Sequence, residues 1–186
     1  MEFWRVNGMA DTRSVFKQEG DVVLRPVEKE DAEFLRDLLV HEGVRYTIGM
    51  APKPANLKEV REWIEGVDKD EKVSFIIEFN GEKAGECSLN DFDNEYGRAE
   101  IGISIYPDFQ DQGIGSRALK MLLEYGFETL NLHCIRGGYL EINEPSRRIM
   151  EKAGMREEGR KRDYKYVDGE WVDLIYLSIT EDEYFE

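Results

Sequence analysis

The sequence predicts one α/β (α+β) domain, a mixed central sheet of about seven strands with helices on both faces. Three observations carry this. Short β-branched and aromatic runs alternate with stretches of helical periodicity along most of the chain. Asn80-Gly81 and Asp168-Gly169 sit between apolar runs and supply the positive φ of tight hairpin turns, which demands antiparallel neighbours. After Arg98 the order is strand, helix, strand, and a helical crossover makes the two strands parallel.

In chain order, residues 1–20 lack the later regularity and read as an N-terminal extension, partly mobile or docked through Phe3 and Trp4, with a second plausible start at Met9. Residues 21–182 read as the domain. Val22, Val23 and Leu24 begin a strand that Pro26 stops. Phe34, Leu35, Leu38 and Leu39 share a helical face, and a proline-broken loop at 50–55 leads to a second helix through Val60, Trp63, Ile64 and Val67. Strands are expected at 73–79, 84–89 and 98–106, the last ended by Pro107. A long amphipathic helix then sets Ala118, Leu119, Leu122, Leu123, Phe127 and Leu130 on one side. Residues 132–142 return as a strand, weakened or bulged at Gly137-Gly138. Pro145 suits the first turn of a helix and Gly154 its stop. A hairpin of 164–167 and 171–179 closes the chain, its aromatics Tyr164, Tyr166, Trp171 and Tyr176 reading as core and dimer-edge residues.

With 25 Lys and Arg against 40 Asp and Glu, the net charge of −15 excludes a generic nucleic-acid binder, which needs a basic surface. It suits a cationic substrate, or equally serves solubility in a salty or hot habitat. The two cysteines, Cys87 and Cys134, stand apart in apolar runs, and with His41 and His133 they make no metal-spaced set, so no metal is expected. No stretch has the length of a membrane span and the N-terminus lacks a signal-peptide core, so a cytoplasmic protein is the expectation.

The chemistry concentrates in Gln110, Asp111, Gln112, Gly113, Ile114, Gly115 and Ser116. Two glycines one residue apart let the backbone approach a ligand without a Cβ between them. They open a helix, where N–H groups lack partners and the dipole favours a phosphate. The loop has no Gly-Lys-Ser/Thr ending and no third glycine in the dinucleotide register, which excludes both commoner phosphate loops.

The run from Arg98 through Glu100 to Pro107, the spacing of Gln110, Gly113 and Gly115, and the helix end at Glu124, Tyr125, Gly126 and Phe127 resemble the Gcn5-related N-acetyltransferase (GNAT) superfamily. Asn143-Glu144-Pro145-Ser146, Glu151-Lys152-Ala153-Gly154 and Asp168-Gly169-Glu170-Trp171 fit the same pattern, nearest the branch of ribosomal-protein N-terminal and spermidine N-acetyltransferases. The resemblance implies an acyl-CoA N-acyltransferase fold with acetyl-CoA as cosubstrate. It implies that the backbone of Ile103, Ser104 and Ile105 pairs with the pantetheine arm where two strands splay apart. It also implies that the amides of 112–116 hold the pyrophosphate, that Asn143 bonds the pantetheine and that Ser146 lines the channel. From the residues alone, Asn143 reads as a turn residue lying just outside the helix, with no need to cap it.

Transfer to an amine of pKa near ~10 calls for a general base. Glu100, between Ala99 and Ile101 and at the resemblance's glutamate position, is the candidate, against the reading of an exposed or structural carboxylate. Where many relatives carry a tyrosine to protonate the leaving thiolate, this chain has Met150. Tyr139, Cys134 or His133 could substitute, or the thiolate could leave unassisted. The acceptor is expected to be a small-molecule amine, such as a polyamine, or a protein N-terminus, approaching by the second helix and the loop of residues 41–55, where Glu42, Glu59, Glu62 and Glu65 read as a solvated face. A CoA-binding module without catalysis is the second reading, and a homodimer is possible.

Overall fold

The computed structural model describes residues 14–45, 56–66, 68 and 71–186. Phe3, Trp4, Met9, Val67 and the 50–55 loop lie outside the described residues.

Among the described residues, eight strands form one sheet in the order β1-β2-β3-β4-β5-β6-β8-β7. They are β1(Lys17–Glu19), β2(Val22–Pro26), β3(Lys72–Phe79), β4(Glu82–Asp93), β5(Arg98–Ile105), β6(Cys134–Leu140), β7(Arg156–Val167) and β8(Glu170–Thr180). The β5–β6 pair is parallel and the rest are antiparallel. The helices are α1(Ala32–Val40), α2(Glu42–Arg45), α3(Leu57–Gly66), α4(Ile114–Glu124), α5(Glu144–Lys152) and α6(Glu181–Phe185), with a π-helical turn at Tyr125–Thr129.

The eighth strand is β1, inside the stretch expected as an extension. Its residues Lys-Gln-Glu carry no apolar signal. Backbone pairing to β2 and two ion pairs to α4, Lys17–Glu124 at 2.8 Å and Lys120–Glu19 at 3.1 Å, hold it. The hairpin turns form as expected, with φ of 52° and 83° at Asn80 and Gly81 and of 49° and 95° at Asp168 and Gly169. The outer hairpin is longer than expected, because the charged edge strand β7 shows no alternation in its first half. Of its aromatics, Tyr176 packs against the core cluster of Leu140, Val167, Val172 and Leu174, while Tyr164, Tyr166 and Trp171 are exposed. Tyr166 and Trp171 rest ring to ring at 5.3 Å and stay exposed. Of the weakening or bulge expected at Gly137-Gly138, the bulge is absent, since β6 pairs with β8 without a break from Cys134 to Leu140. These glycines make room instead. A Cβ on Gly137 would come 2.7 Å from Ile101 Cγ1 and 3.2 Å from Met150 Cε.

Alternation along the strands decides the two faces. Phe75, Ile77, Cys87, Leu89, Ala99 and Ile101 face the buried side of α4, formed by Ile114, Ala118, Leu119 and Leu122. On the other face Ile76 receives Ala32 and Leu35 of α1 and Val60 of α3. There Arg25 is buried in a charge cluster, bonding Asp31 at 2.7 and 2.8 Å and Glu78 at 2.7 Å. Burial alone would raise the Asp31 carboxyl, but the bonds from Arg25, Lys83 and the Glu28 N–H outweigh it and bring it to about 2.

The sheet is nearly divided in two. Ladder pairing of β5 with β6 covers only Arg98, Ala99 and Glu100 against Cys134, Ile135 and Arg136. Beyond that, β5 follows β4 to Ile105 and β6 follows β8 to Leu140, leaving a V-shaped cleft. A crossover through α4 separates the two strands in sequence and lets them diverge in space.

Candidate active site

The loop lies at the mouth of the cleft. Pro107–Phe109 forms a turn of 3-10 helix, Asp111 and Gly113 take left-handed φ of 59° and 71°, and α4 begins at Ile114. No side chain caps α4. The first helical bond is Arg117 N–H to Gly113 O at 3.3 Å, so the N–H groups of Ile114, Gly115 and Ser116 precede it and are free of the helical ladder. Gln110 Nε2 donates to Ile105 O at 3.1 Å and Gln112 Nε2 to Asp108 O at 3.3 Å, pinning the loop to the end of β5.

The two glycines differ. A Cβ on Gly113 would meet nothing within 4 Å, so its face is open to a ligand. A Cβ on Gly115 would come 2.9 Å from Ile149 Cδ1, so this glycine serves the packing of α4 on α5. Arg117 was not singled out from the sequence. It donates from Nη2 to Gln112 O at 3.3 Å, pairs with Asp21, and braces the loop from behind. Its signal, a cation one turn into the helix, is common in any amphipathic helix.

Glu100 is the last β5 residue paired to β6 and faces away from α4, since Ala99 and Ile101 face toward it. It is half-buried. Burial first, then the charge of Asp91, raise its carboxyl above the ordinary range, against the opposing pull of Arg136 and Lys161. Asn90, its partner on β4, donates from Nδ2 to Glu100 O at 3.4 Å. Ser88 Oγ would stand 3.0 Å from a Cβ on Gly102, so polar groups fill the space of the missing side chain.

Across the cleft, Asn143, just outside α5 as expected, also caps it, a role the sequence left open. Its Oδ1 accepts from Ser146 N–H at 3.2 Å, leaving Nδ2 to donate elsewhere. Pro145 in the first turn does not move it out of that role. Met150 is buried against Gly137 and offers no proton. Of the expected substitutes, His133 is exposed and bonds Glu181 at 3.1 Å, and Cys134 lies buried at the closed end. Tyr139 is buried on the α5 side, and the charges it feels are Glu151, Glu157, Arg147 and Glu144, none of them on β5.

On the α1–α3 side, His41 meets Tyr106 edge-on at 4.9 Å, at the end of β5. Glu59 closes a capping box with Asn56, Glu62 pairs with Lys58 and Glu65 with Lys29, which is the behaviour of a solvated helix face. A cavity of about 520 Å³ lies at the end of the sheet between Trp63, Ser74, Phe75, Phe92 and Tyr125. Among the described residues no cluster of His, Cys, Asp or Glu could hold a metal, and no helix is long and apolar enough to cross a membrane.

The acetyltransferase (GNAT) domain family matches residues 21–156. The chain is a GNAT N-acetyltransferase. It is 30% identical over 166 residues to the spermidine N(1)-acetyltransferase of Escherichia coli (strain K12), covering 88% of each chain. An uncharacterized N-acetyltransferase, p20, of Bacillus licheniformis is 29% identical over 169 residues, 88% of this chain and 94% of that one. The crystal structure of Vibrio cholerae spermidine N-acetyltransferase in complex with CoA and spermine shares the fold, with a TM-score of 0.83 at 23% identity over 89% of this chain and 99% of that one. Membership in this family of transferases replaces the reading of a non-catalytic CoA-binding module.

Proposed function

We propose that this GNAT enzyme transfers acetyl from acetyl-CoA to a primary amine, either a polyamine or the α-amino group of a protein or peptide, by direct attack in a ternary complex. The observation that carries it is the parting of β5 from β6 immediately after Glu100, beside an uncapped helix start. The exposed edge of Ile103, Ser104 and Ile105 suits an extended amide-bearing arm, as an added strand would. The N–H groups of Gln112, Gly113, Ile114, Gly115 and Ser116, with open space before Gly113, suit a pyrophosphate, and the side chains of Gln110 and Asp111 shape that loop. Asn143 Nδ2 and Ser146 line the opposite wall.

Bound acetyl-CoA supplies an activated acetyl thioester. Glu100, directly or through a water, takes the proton from the incoming ammonium, and its raised pKa brings it nearer the working pH. Ser74 Oγ, Glu86 Oε1 and Asn90 Oδ1, buried on β3 and β4 with no hydrogen-bond partner (Glu86 Oε1 lies 3.9 Å from Lys72 Nζ), supply hydrogen-bond acceptors on the amine's side. The E. coli and V. cholerae relatives act on spermidine by name, which favours the polyamine; the resemblance to ribosomal-protein acetyltransferases keeps the protein N-terminus in contention.

A panel of polyamines, monoamines and N-terminal peptides with labelled acetyl-CoA tests the reading. Transfer to at least one amine class is expected. Transfer to hydroxyl or thiol acceptors with none to any amine would overturn it.

A further inference from the structure

Four buried side-chain atoms among the described residues meet no hydrogen-bond partner: Ser74 Oγ, Glu86 Oε1, Asn90 Oδ1 and Arg136 Nε. The strand registers place all four on the sheet face that carries Glu100. They divide by chemistry. The three oxygens lie on β3 and β4, while the guanidinium N–H is a pure donor and stands on β6. Leaving a charged, buried donor without an acceptor is costly, so an acceptor belongs there in the working protein.

Arg136 pairs with Glu100 in the last rung before β5 and β6 part, which is the apex of the cleft. The side chains closing the apex on the α4–α5 side are Ile101 and Met150, over the bare backbone of Gly137. None of these side chains offers a hydrogen bond. With a thioester at the apex, the amine, whose first proton Glu100 has already taken, forms the new C–N bond and loses its second proton to water. The C–S bond breaks and its electron pair leaves on sulfur. Negative charge therefore develops in apolar surroundings, where a preorganised donor is worth most.

We propose that Arg136 donates its buried Nε–H to the CoA sulfur and stabilises the departing thiolate until water protonates it. This rests on the placement of the cosubstrate in the cleft proposed above. Tyr139 lies on the other face of β6 and beyond its last rung with β5, packed in the core with Met150, whereas Arg136 stands in that rung opposite Glu100.

The test reads the thiol of CoA bound to the full chain, by the ultraviolet absorbance of its thiolate across a pH titration. On the wild type the bound thiol should ionise at lower pH than free CoA. In Arg136→Gln it should return close to the free value, with CoA affinity below the thiol's pKa kept within about threefold, which also certifies the fold. Arg136→Lys, which keeps the charge and loses the Nε–H, should fall between and serves if the glutamine variant does not fold. In turnover, kcat of Arg136→Gln should drop about 10- to 100-fold, the worth of a charge-assisted hydrogen bond, with the amine KM little changed. Adding Met150→Tyr, a phenol on the other wall of the apex, should recover most of that loss, a rescue that a merely structural role would not allow. An unshifted thiol in the wild type, or equal titrations in wild type and variants, overturns the role of Arg136 while leaving the placement intact. Absence of CoA binding to the wild type overturns the placement, and the role with it.

Discussion

Gly113→Ala and Gly115→Val should have opposite effects on folding and ligand binding, although the two glycines are separated by one residue. At Gly113 the backbone holds φ 71° and ψ 9°, and a Cβ meets nothing within 4 Å. Alanine there carries the left-handed penalty alone, about 1 kcal/mol. In a domain of this size that lowers Tm by about 2–4 °C. The added methyl, however, enters the space proposed for the pyrophosphate. Losing one charge-assisted hydrogen bond costs about 1.5–3 kcal/mol, hence about 10- to 150-fold in the Kd for CoA. At Gly115 the Cβ would stand 2.9 Å from Ile149 Cδ1 and 3.7 Å from Ile105 Cγ1. Valine overpacks the contact of α4 with α5 and costs about 1–3 kcal/mol of stability, with the smaller effect on CoA. Thermal unfolding of the unliganded variants and calorimetric titration with CoA measure the two quantities separately. If Gly113→Ala kept the wild-type Kd within about twofold while Gly115→Val lost binding at unchanged Tm, the assignment of open and packed glycine would be wrong.

Two further outcomes are expected. Glu100→Gln should lower kcat/KM by about 10²–10⁴-fold at neutral pH and by less as pH approaches the amine's own pKa, while the wild-type rate rises with pH through the raised Glu100 pKa; a loss independent of pH would mark Glu100 as structural. Asp31→Asn should destabilise the fold by about 3–5 kcal/mol near neutrality, because Arg25 stays buried with one carboxylate fewer. Since the Asp31 carboxyl is depressed to about 2, its contribution is present above the ordinary carboxylate range and fades as pH falls toward that value, so wild type and variant should converge in denaturant midpoint there.

Much of this was legible in the sequence because it is local. Asn80-Gly81 and Asp168-Gly169 need positive φ whatever surrounds them, and the crossover through α4 fixes parallel strands. What was missed depends on neighbours distant in sequence. The strand β1 is a charged tripeptide that only β2 and α4 define. The glycines at 137 and 138 carry the composition of a bulge, yet Ile101 and Met150 claim the space beside Gly137. Asn143 reads as a turn residue until its Oδ1 meets the Ser146 N–H. Glu100 could be named from the resemblance, but the orphaned Nε of Arg136 beside it emerges only once β5 and β6 are in register.

The three rungs that join β5 to β6 also leave two strand edges in the interior of a single sheet. Exposed edges ordinarily invite another chain to pair and aggregate. Here the edges face each other across a wedge that closes at Glu100 and Arg136, so neither presents the open flank that a folded neighbour's strand could lie along. A slender, flexible molecule with amides of its own fits where a folded partner does not. The cleft thus gives this protein the adhesiveness of an unfinished sheet toward one shape of ligand.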